Sequence, residues 1–214
     1  MNPEVKAILF DLGNVLFDLE IPKTWRAMES LFGVELEHTF NYPPTQELMY
    51  DYEKGLVDTG TFVGELQRLS KPGTTPKEVV NAWNAMLLEI PKERFGFLDQ
   101  LKKHFPLYLL SNINTLHLEF FYRQIRDRYQ ILNWDTAYFE QTFYSHLIGM
   151  RKPDASIYQH VSKEINFPME AIFFVDDNKQ NIKTAAKLGM QTYLLGEKEE
   201  VMNLSFFQKY LNEI

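Results

Sequence analysis

The sequence contains no cysteine and comparatively little positive charge. Without cysteine, the chain has no disulfide bonds, no zinc site built on thiolates and no cysteine nucleophile. Its 22 lysine and arginine residues stand against 29 aspartate and glutamate residues, which gives a net charge of −7. This balance argues against non-specific nucleic-acid binding, because such binding needs a basic surface.

Long apolar runs are also missing. No stretch approaches the length that crosses a bilayer, and residues 1–6 lack the pattern of a signal peptide. We therefore expect a soluble, cytoplasmic protein that binds neither membranes nor nucleic acid, and its oligomeric state is left open. Apolar material for a core is present, because 45% of the 214 residues are hydrophobic. This length suits one large domain or a core domain with a small insertion.

Short apolar runs alternate with amphipathic stretches over most of the chain. The clearest runs are 7–10, 107–110 and 171–175, and less uniformly apolar strand segments lie at 142–144 and 191–195. An unbroken apolar run of this length is typical of a strand buried on both faces. Strands that alternate with helices predict an α/β fold, a Rossmann-like parallel sheet with helices on both faces.

Residues 19–88 interrupt this alternation, because they show helical periods without strands. Within them, TPKE at residues 75–78 has the spacing of a capping box, with proline at the first helical position. We expect a small all-helical insertion over 19–88. The α/β core then consists of residues 1–18 and 89–214.

Three acidic residues directly follow predicted strands: Asp11, Asp176 and Asp177. Ligands bind such sheets just beyond the carboxyl ends of the strands. If the strands are neighbours, the three carboxylates converge and repel one another unless a positive charge joins them. A Mg²⁺ ion suits these oxygen ligands, because it takes a few carboxylates together with water and substrate phosphate. The alternative is that each acid only caps the turn or helix that follows it.

Two further segments carry side chains that suit an anionic ligand. Ser111 and Asn112 end another strand, and a hydroxyl, an amide and the N–H groups of a helix start would hold an anion. The turn formed by Gly13 and Asn14 would bring the main chain close to the same ligand. Ordinary turn and helix capping is the alternative for both segments.

The sequence RKPD at residues 151–154 contains a lysine followed by proline. Lys152 would neutralise both a carboxylate and a phosphate, or else it is a solvated surface lysine. We expect Asp154 to cap the helix that follows.

Taken together, these motifs resemble those of the haloacid dehalogenase-like (HAD) hydrolases. The four segments are ILFD at 8–11, LLSN at 109–112, RKPD at 151–154 and FVDDN at 174–178. They occur in the order that the family shows and span essentially the whole chain. The insertion over 19–88 resembles a family cap of the type that closes over small substrates.

The resemblance implies a role for each motif residue. Asp11 would attack phosphorus and form an aspartyl-phosphate, and Ser111 would hydrogen-bond a phosphoryl oxygen. Lys152 would balance the charge of the nucleophile and the phosphate. Mg²⁺ would be held by Asp11, the main-chain carbonyl of Gly13 and the pair formed by Asp176 and Asp177. The implied activity is that of a Mg²⁺-dependent phosphatase.

The chain departs from the usual family pattern at Gly13. Phosphatases of this family usually carry a second aspartate there, which protonates the leaving group and then activates water. The variant DLGNV at residues 11–15 resembles a subgroup similar to α-D-glucose-1-phosphate phosphatase, and so do GMRKP at 149–153 and IYQHV at 157–161. This resemblance implies a sugar phosphate or a similar small ester as the substrate.

Two other classes of function are compatible with the motifs. The first is a non-catalytic module that binds a metal or phosphate, which would explain Gly13 directly. The second is a dehalogenase or a phosphonate-cleaving enzyme. Known phosphonate cleavage uses a cap lysine as a Schiff base, for which Lys23, Lys54 and Lys71 are the options.

The cap is expected to determine specificity, and its aromatic side chains are candidates for stacking on a sugar. They are Trp25, Tyr42, Tyr50, Tyr52 and Trp83, and each is otherwise a core residue. His38 and His117 are candidate proton donors, and each is otherwise structural.

Overall fold

A five-stranded parallel sheet forms the centre of the computed structural model, which describes residues 4–33 and 43–211. The strand order is β3-β2-β1-β4-β5. The strands are β1 (Ala7–Phe10), β2 (Leu107–Ser111), β3 (Gln141–Tyr144), β4 (Ile172–Asp176) and β5 (Gln191–Leu194). Strands β1, β2 and β4 are buried along their whole length, as unbroken apolar runs predict. The predicted α/β fold is confirmed.

The described residues form eleven α-helices. They are α1 (Ile21–Phe32), α2 (Pro43–Glu53), α3 (Thr59–Leu69), α4 (Pro76–Trp83), α5 (Lys92–Leu101), α6 (Thr115–Tyr129), α7 (Trp134–Tyr138), α8 (Ser145–Ile148), α9 (Ala155–Ile165), α10 (Lys179–Lys187) and α11 (Ser205–Leu211). Phe10 and Leu109 pack with α5, α6 and α11 on one face, while Leu9 and Leu110 pack with α9 and α10 on the other. Neighbouring strand residues point to opposite faces, so each buried strand serves both layers. No helix in the described ranges is long and apolar enough to cross a bilayer.

The central position of β1 determines what meets at the carboxyl edge of the sheet. Phe10 lies opposite Leu109 of β2 and Val175 of β4. The N–H of Asp11 continues the ladder by donating to the carbonyl of Val175 at 2.9 Å. The residues that follow β1, β2 and β4 therefore come together at one edge.

The described residues between 19 and 88 form α1 to α4 and a short 3₁₀ turn, and none of them belongs to the sheet. A separate hydrophobic cluster, which includes Met28, Phe62 and Trp83, packs these helices together. The predicted capping box is confirmed, because Thr75 and Glu78 exchange both of its hydrogen bonds. The division into a core and a cap over 19–88 stays a prediction.

One segment of the chain connects β1 to the insertion, and another connects the insertion to α5. These two segments run side by side. Asp18 N–H donates to the Glu89 carbonyl at 2.8 Å, and Leu88 N–H donates to the Asp18 carbonyl at 3.1 Å. The N–H of Glu20 donates to the Met86 carbonyl at 2.8 Å. We call this pair of segments, residues 18–20 and 86–89, the paired linker.

The expectation for Asp154 is wrong. Asp154 occupies the N-cap position of α9, but its side chain makes no capping hydrogen bond. The buried face of α9, formed by Ile157, Tyr158 and Val161, holds the helix on the sheet instead. In contrast, the side chain of Asn178 caps α10 by accepting from the N–H groups of two residues in its first turn.

Candidate active site

Three carboxylates meet at the carboxyl edge of the sheet. Asp11 follows β1, Asp176 ends β4, and Asp177 is the next residue. One oxygen atom from each of them lies within 4.8 Å of the other two. Asp11 and Asp176 are buried and Asp177 is exposed, so the cluster lies at the boundary between the core and the solvent.

Lys152 lies beneath this cluster as a buried cation. Its Nζ is 2.7 Å from Asp11 Oδ1 and 2.7 Å from Asp176 Oδ2, and it also donates to the carbonyl of Leu110 at 2.9 Å. The side chain is 1% exposed, so it is not a solvated surface lysine. Although burial lowers the pKa of Lys152, its two carboxylate partners hold that pKa above the ordinary value.

The amide of Asn112 holds the main chain of Lys152. Asn112 Nδ2 donates to the Lys152 carbonyl, and Lys152 N–H donates to Asn112 Oδ1, both at 2.8 Å. The side chain of Asn112 is therefore occupied in positioning the lysine. A phosphate contact by Asn112 stays a prediction, and its main chain would have to provide it. Ser111, at the end of β2, lines the cavity above the carboxylates.

A network of donors surrounds Asp176. The N–H of Asn178 donates to Oδ1 at 2.7 Å, and Asn181 Nδ2 lies 3.0 Å from both carboxylate oxygens. Together with Lys152, these donors satisfy a carboxylate that has no solvent exposure. Asn181 was not identified from the sequence, where a single asparagine among the polar residues of α10 carries no distinct signal.

Asp11 differs from Asp176 because its negative charge is only partly compensated. Burial raises the pKa of Asp11 to about 7, and Asp176 and Asp177 add to the rise while Lys152 opposes it. The cluster thus holds three carboxylates and one cation. A donor set made of carboxylate oxygens with a deficit of positive charge fits Mg²⁺, which binds such ligands.

The turn after Asp11 connects the cluster to the paired linker. Asn14 has a left-handed backbone, with φ of 55°. Its Nδ2 donates to Asp177 Oδ2 at 2.9 Å, and its Oδ1 accepts from the N–H of Leu19 at 3.2 Å. The side chain of Asn14 therefore fixes Asp177, and a phosphate contact by Asn14 or a metal contact by Gly13 stays a prediction.

At Gly13 the space for a side chain is already taken. A Cβ built on Gly13 would lie 2.7 Å from Leu19 Cδ1, which is closer than real Cβ atoms approach. The apolar end of Leu19 therefore occupies the direction in which the usual second aspartate of the family would point.

A cavity of about 490 Å³ lies above the cluster, between the core and the insertion. Core residues contribute Asp11, Ser111 and Asp177 to its lining, and the insertion contributes mainly apolar and aromatic side chains. Those from the insertion are Leu19, Ile21, Trp25, Met49, Tyr50, Glu53, Trp83, Met86 and Leu87. None of Lys23, Lys54 and Lys71 lines this cavity.

The predicted cap residues fall into three groups. Trp25, Tyr50 and Trp83 line the cavity, whereas Tyr52 is buried and stacks on Phe62 with ring centroids 4.1 Å apart. His38 and Tyr42 lie outside the described residues.

His117 is held as a neutral, structural histidine. Its Nε2 donates to the carbonyl of Trp83 at 3.1 Å, which leaves Nδ1 to accept from Asn114 Nδ2 at 3.2 Å. Burial lowers the pKa of His117 to about 4. Because both ring nitrogens have partners, His117 is not a suitable proton donor, and its structural alternative is the correct one.

Two charged cavity residues, Glu53 and Arg151, were not identified from the sequence. Glu53 ends α2, and Arg151 precedes Lys152 in the third motif. Their side chains form an ion pair, with Arg151 Nη2 and Glu53 Oε2 3.0 Å apart. Nothing local marks them, because they are 98 residues apart in the chain.

Comparison with known proteins gives one family. The sequence profile of the haloacid dehalogenase-like hydrolases matches residues 5–189. A HAD family enzyme from Bacteroides thetaiotaomicron, solved in complex with magnesium and inorganic phosphate, superposes with a TM-score of 0.80 and 26% identity over 94% of this chain and 99% of that one. A predicted HAD-like hydrolase from Porphyromonas gingivalis superposes with a TM-score of 0.82 and 27% identity, covering 99% and 100% of the two chains.

Curated relatives include two phosphatases and one cyclase. The D-ribitol-5-phosphate phosphatase of Bacteroides thetaiotaomicron is 24% identical over 190 residues, which are 88% of this chain and 91% of that protein. A sesquiterpene phosphatase from Aspergillus oryzae is 29% identical over 189 residues, 86% and 87% of the two chains. Drimenol cyclase from Aspergillus calidoustus is 29% identical over 204 residues, 92% of this chain. The match covers 35% of the cyclase, so the chain spans about a third of that relative.

Proposed function

The chain belongs to the haloacid dehalogenase-like hydrolase family, and from that premise we propose that it hydrolyses a small phosphate monoester of the sugar or polyol type. It is a phosphatase, and its cofactor is Mg²⁺. The observation that carries the proposal is the buried Lys152, which joins Asp11 to Asp176 beneath a cavity that Ser111 and Asp177 also line.

In the proposed mechanism, the carboxylate of Asp11 attacks phosphorus, the bond from phosphorus to the ester oxygen breaks, and that oxygen leaves as an alkoxide that takes its proton from water. Hydrolysis of the resulting aspartyl-phosphate by water then regenerates Asp11, so that one difficult displacement becomes two easier ones. Ser111 donates to a phosphoryl oxygen, and Lys152 favours the ionised form of Asp11 and balances the added charge. Bound Mg²⁺ would supply charge stabilisation on the transferring group, held by Asp11, Asp176, Asp177 and the carbonyl of Gly13.

The glycine at position 13 restricts which alcohols leave readily. No carboxylate is present there, and Leu19 fills the adjacent space. A primary alkoxide is strongly basic and leaves poorly without a proton, whereas an anomeric or aryl oxygen is less basic. We therefore propose that anomeric and aryl phosphates are better substrates than primary alkyl phosphates, and that breakdown of the aspartyl-phosphate is slow.

We propose that residues 19–88 act as the cap that selects the alcohol. The cap side of the cavity is largely apolar, and this favours a second candidate class, the phosphate of an isoprenoid alcohol. The similarity to a sesquiterpene phosphatase supports the same candidate class. Dehalogenation is less well supported, because a cluster of three carboxylates needs a cation. Phosphonate cleavage would need a lysine of the cap in the cavity, and no described lysine of residues 19–88 lines it.

The experiment is a phosphatase screen with Mg²⁺ over sugar, polyol, aryl and isoprenoid phosphates, run beside Asp11→Asn. We expect hydrolysis that depends on Asp11 and is faster for glucose 1-phosphate than for glucose 6-phosphate. Rapid quenching followed by mass spectrometry should detect phosphorylated Asp11. Equal rates on the two sugar phosphates without a phosphorylated enzyme would contradict the proposed leaving-group preference. Inactivity on every monoester would contradict the proposed function.

A further inference from the structure

Two charged side chains in the cavity take no part in the mechanism above. Glu53 and Arg151 form an ion pair across the boundary between α2 and the third motif, with Arg151 Nε and Nη2 at 3.1 and 3.0 Å from Glu53 Oε2. The guanidinium also lies over the ring of Tyr50, 4.0 Å from its centroid. Because Tyr50 and Glu53 are three residues apart on α2, one helical face holds Arg151 from two sides.

The geometry of this pair leaves hydrogen-bonding capacity unused. Both bonds from Arg151 end on the same oxygen, Oε2. Among the described residues, no group donates to Glu53 Oε1, and Arg151 Nη1 donates to none. Glu53 Oε1 can therefore accept a further hydrogen bond from a ligand, and the guanidinium of Arg151 keeps N–H groups that can donate.

Both side chains are half-buried and face the cavity. The side chains of Arg151 and Glu53 are 17% and 19% exposed, and both line the cavity. Burial raises the pKa of Glu53 although Arg151 opposes the rise, so the carboxylate is poorly solvated where it lies. A ligand group that donates to Oε1 would replace water at this oxygen and give the carboxylate a second partner.

The charges of Glu53 and Arg151 favour a neutral hydroxyl as the ligand group that binds here. A second anion would be repelled by Glu53 and a cation by Arg151, whereas a hydroxyl donates to the carboxylate and accepts from the guanidinium. The neighbouring aromatic side chains, Trp25, Tyr50 and Trp83, offer apolar faces for the carbon skeleton. A few polar groups in a largely apolar wall are typical of a site that orients a small ligand.

We propose that Glu53, paired with Arg151, binds a hydroxyl group on the alcohol part of the substrate and thereby selects polyhydroxylated phosphates. This inference rests on the proposed function and deepens it, because it assigns the discrimination between a sugar or polyol and an isoprenoid alcohol to one ion pair. A site built around a hydroxyl rejects an analogue that lacks it, since its buried polar groups then stay unpaired.

The test compares Glu53→Gln with the wild type on two substrates, glucose 1-phosphate and phenyl phosphate. The second substrate has no hydroxyl on its alcohol part. We expect Glu53→Gln to lower kcat/KM for glucose 1-phosphate about tenfold or more, mainly through KM, because a neutral amide is a weaker acceptor than the carboxylate and no longer forms an ion pair with Arg151. For phenyl phosphate the change should stay within about twofold. Glu47→Gln, an exposed change on the same helix, is the matched control and should alter neither value.

Three outcomes decide the matter. Equal losses on both substrates would mean that the pair only holds the cap in place, and unchanged kinetics would mean that it does not contact the substrate; either result overturns the inference. If Glu53→Gln does not fold, Glu53→Asp replaces it with the same expectation. A wild type that is inactive on both substrates would instead contradict the proposed function, so the two failures are distinguishable.

Discussion

At the scale of single residues, Lys152 shows how the core and the site depend on one another. Its ammonium lies between two carboxylates in a position that is 1% exposed. Buried ion pairs stabilise little in themselves, but the loss of one partner leaves an uncompensated charge. Lys152 is therefore required by the folded core as well as by the proposed chemistry.

We expect Lys152→Met to abolish hydrolysis and to lower the free energy of unfolding by about 3–5 kcal/mol, because Asp11 and Asp176 then repel each other without a cation. Urea unfolding in excess chelator measures this loss. The double variant Lys152→Met with Asp176→Asn should recover part of the stability. Lys163→Met, an exposed change on α9, is the control, and an equal loss there would contradict the prediction.

A second residue-scale prediction concerns Gly13 and Leu19. Gly13→Asp alone forces the new Cβ against Leu19 Cδ1, the mobile end of a side chain. The double variant with Leu19→Ala makes room for the carboxylate. We expect the double variant to raise the rate on glucose 6-phosphate relative to glucose 1-phosphate, because an acid then protonates the alkyl leaving group. Leu19→Ala alone should leave this ratio unchanged, and a similar rise without the aspartate would refute the explanation.

At the scale of elements, the paired linker joins the insertion to the carboxyl edge of the sheet. Arg94 of α5 is buried beside it and bonds Asp18 at 2.6 Å and Glu200 at 3.0 Å. Asn14 connects the same segment to Asp177 through the N–H of Leu19. Any movement of the insertion relative to the core must therefore pass through segments that also position a proposed metal ligand.

We expect Arg94→Met to loosen the paired linker while the buried stem of the side chain keeps its packing. Hydrogen exchange at the amides of Asp18 and Leu88 should become about tenfold faster, which corresponds to about 1.4 kcal/mol, while amides of β1 and β4 stay protected. Arg68→Met removes an exposed ion pair on α3 and should change neither set. Equal acceleration throughout the sheet would indicate global destabilisation instead.

At the scale of the whole molecule, the stability should depend on pH through His117. Its pKa in the folded protein is about 4, below the ordinary 6.5, so the unfolded chain binds the proton first. The stability that this histidine contributes is fully present above pH 6.5 and is lost as the pH falls towards 4. A difference of this size corresponds to about 3 kcal/mol at most.

The measurement is the free energy of unfolding in urea between pH 7 and pH 4.5. We expect the stability of the wild type relative to that of His117→Gln to fall over this range, because the variant lacks the titrating imidazole while the buried carboxyl of Asp11, whose raised pKa acts in the opposite direction, is common to both. His104→Gln changes an exposed histidine and should follow the wild type. Parallel curves for wild type and His117→Gln would show that other groups cause the acid sensitivity.

The sequence by itself determined the α/β fold and the chain positions of the motif residues. Unbroken apolar runs such as residues 7–10 can be buried only between two layers, and an acid or serine after such a run must lie at the carboxyl edge of the sheet. Local signals were also sufficient for the capping box at Thr75. These features depend on residues that are close together in the sequence, so a local sequence pattern is sufficient to predict them.

Only the tertiary structure decided how distant segments complete the site. The bridge formed by Lys152, the contact of Leu19 with Gly13, the buried state of His117 and the pair of Glu53 with Arg151 each join parts of the chain that packing brings together. The residue type of each of these side chains is compatible both with a surface position and with a buried one. Which of these applies depends on the other segments packed around each side chain, and short-range patterns carry no record of those neighbours.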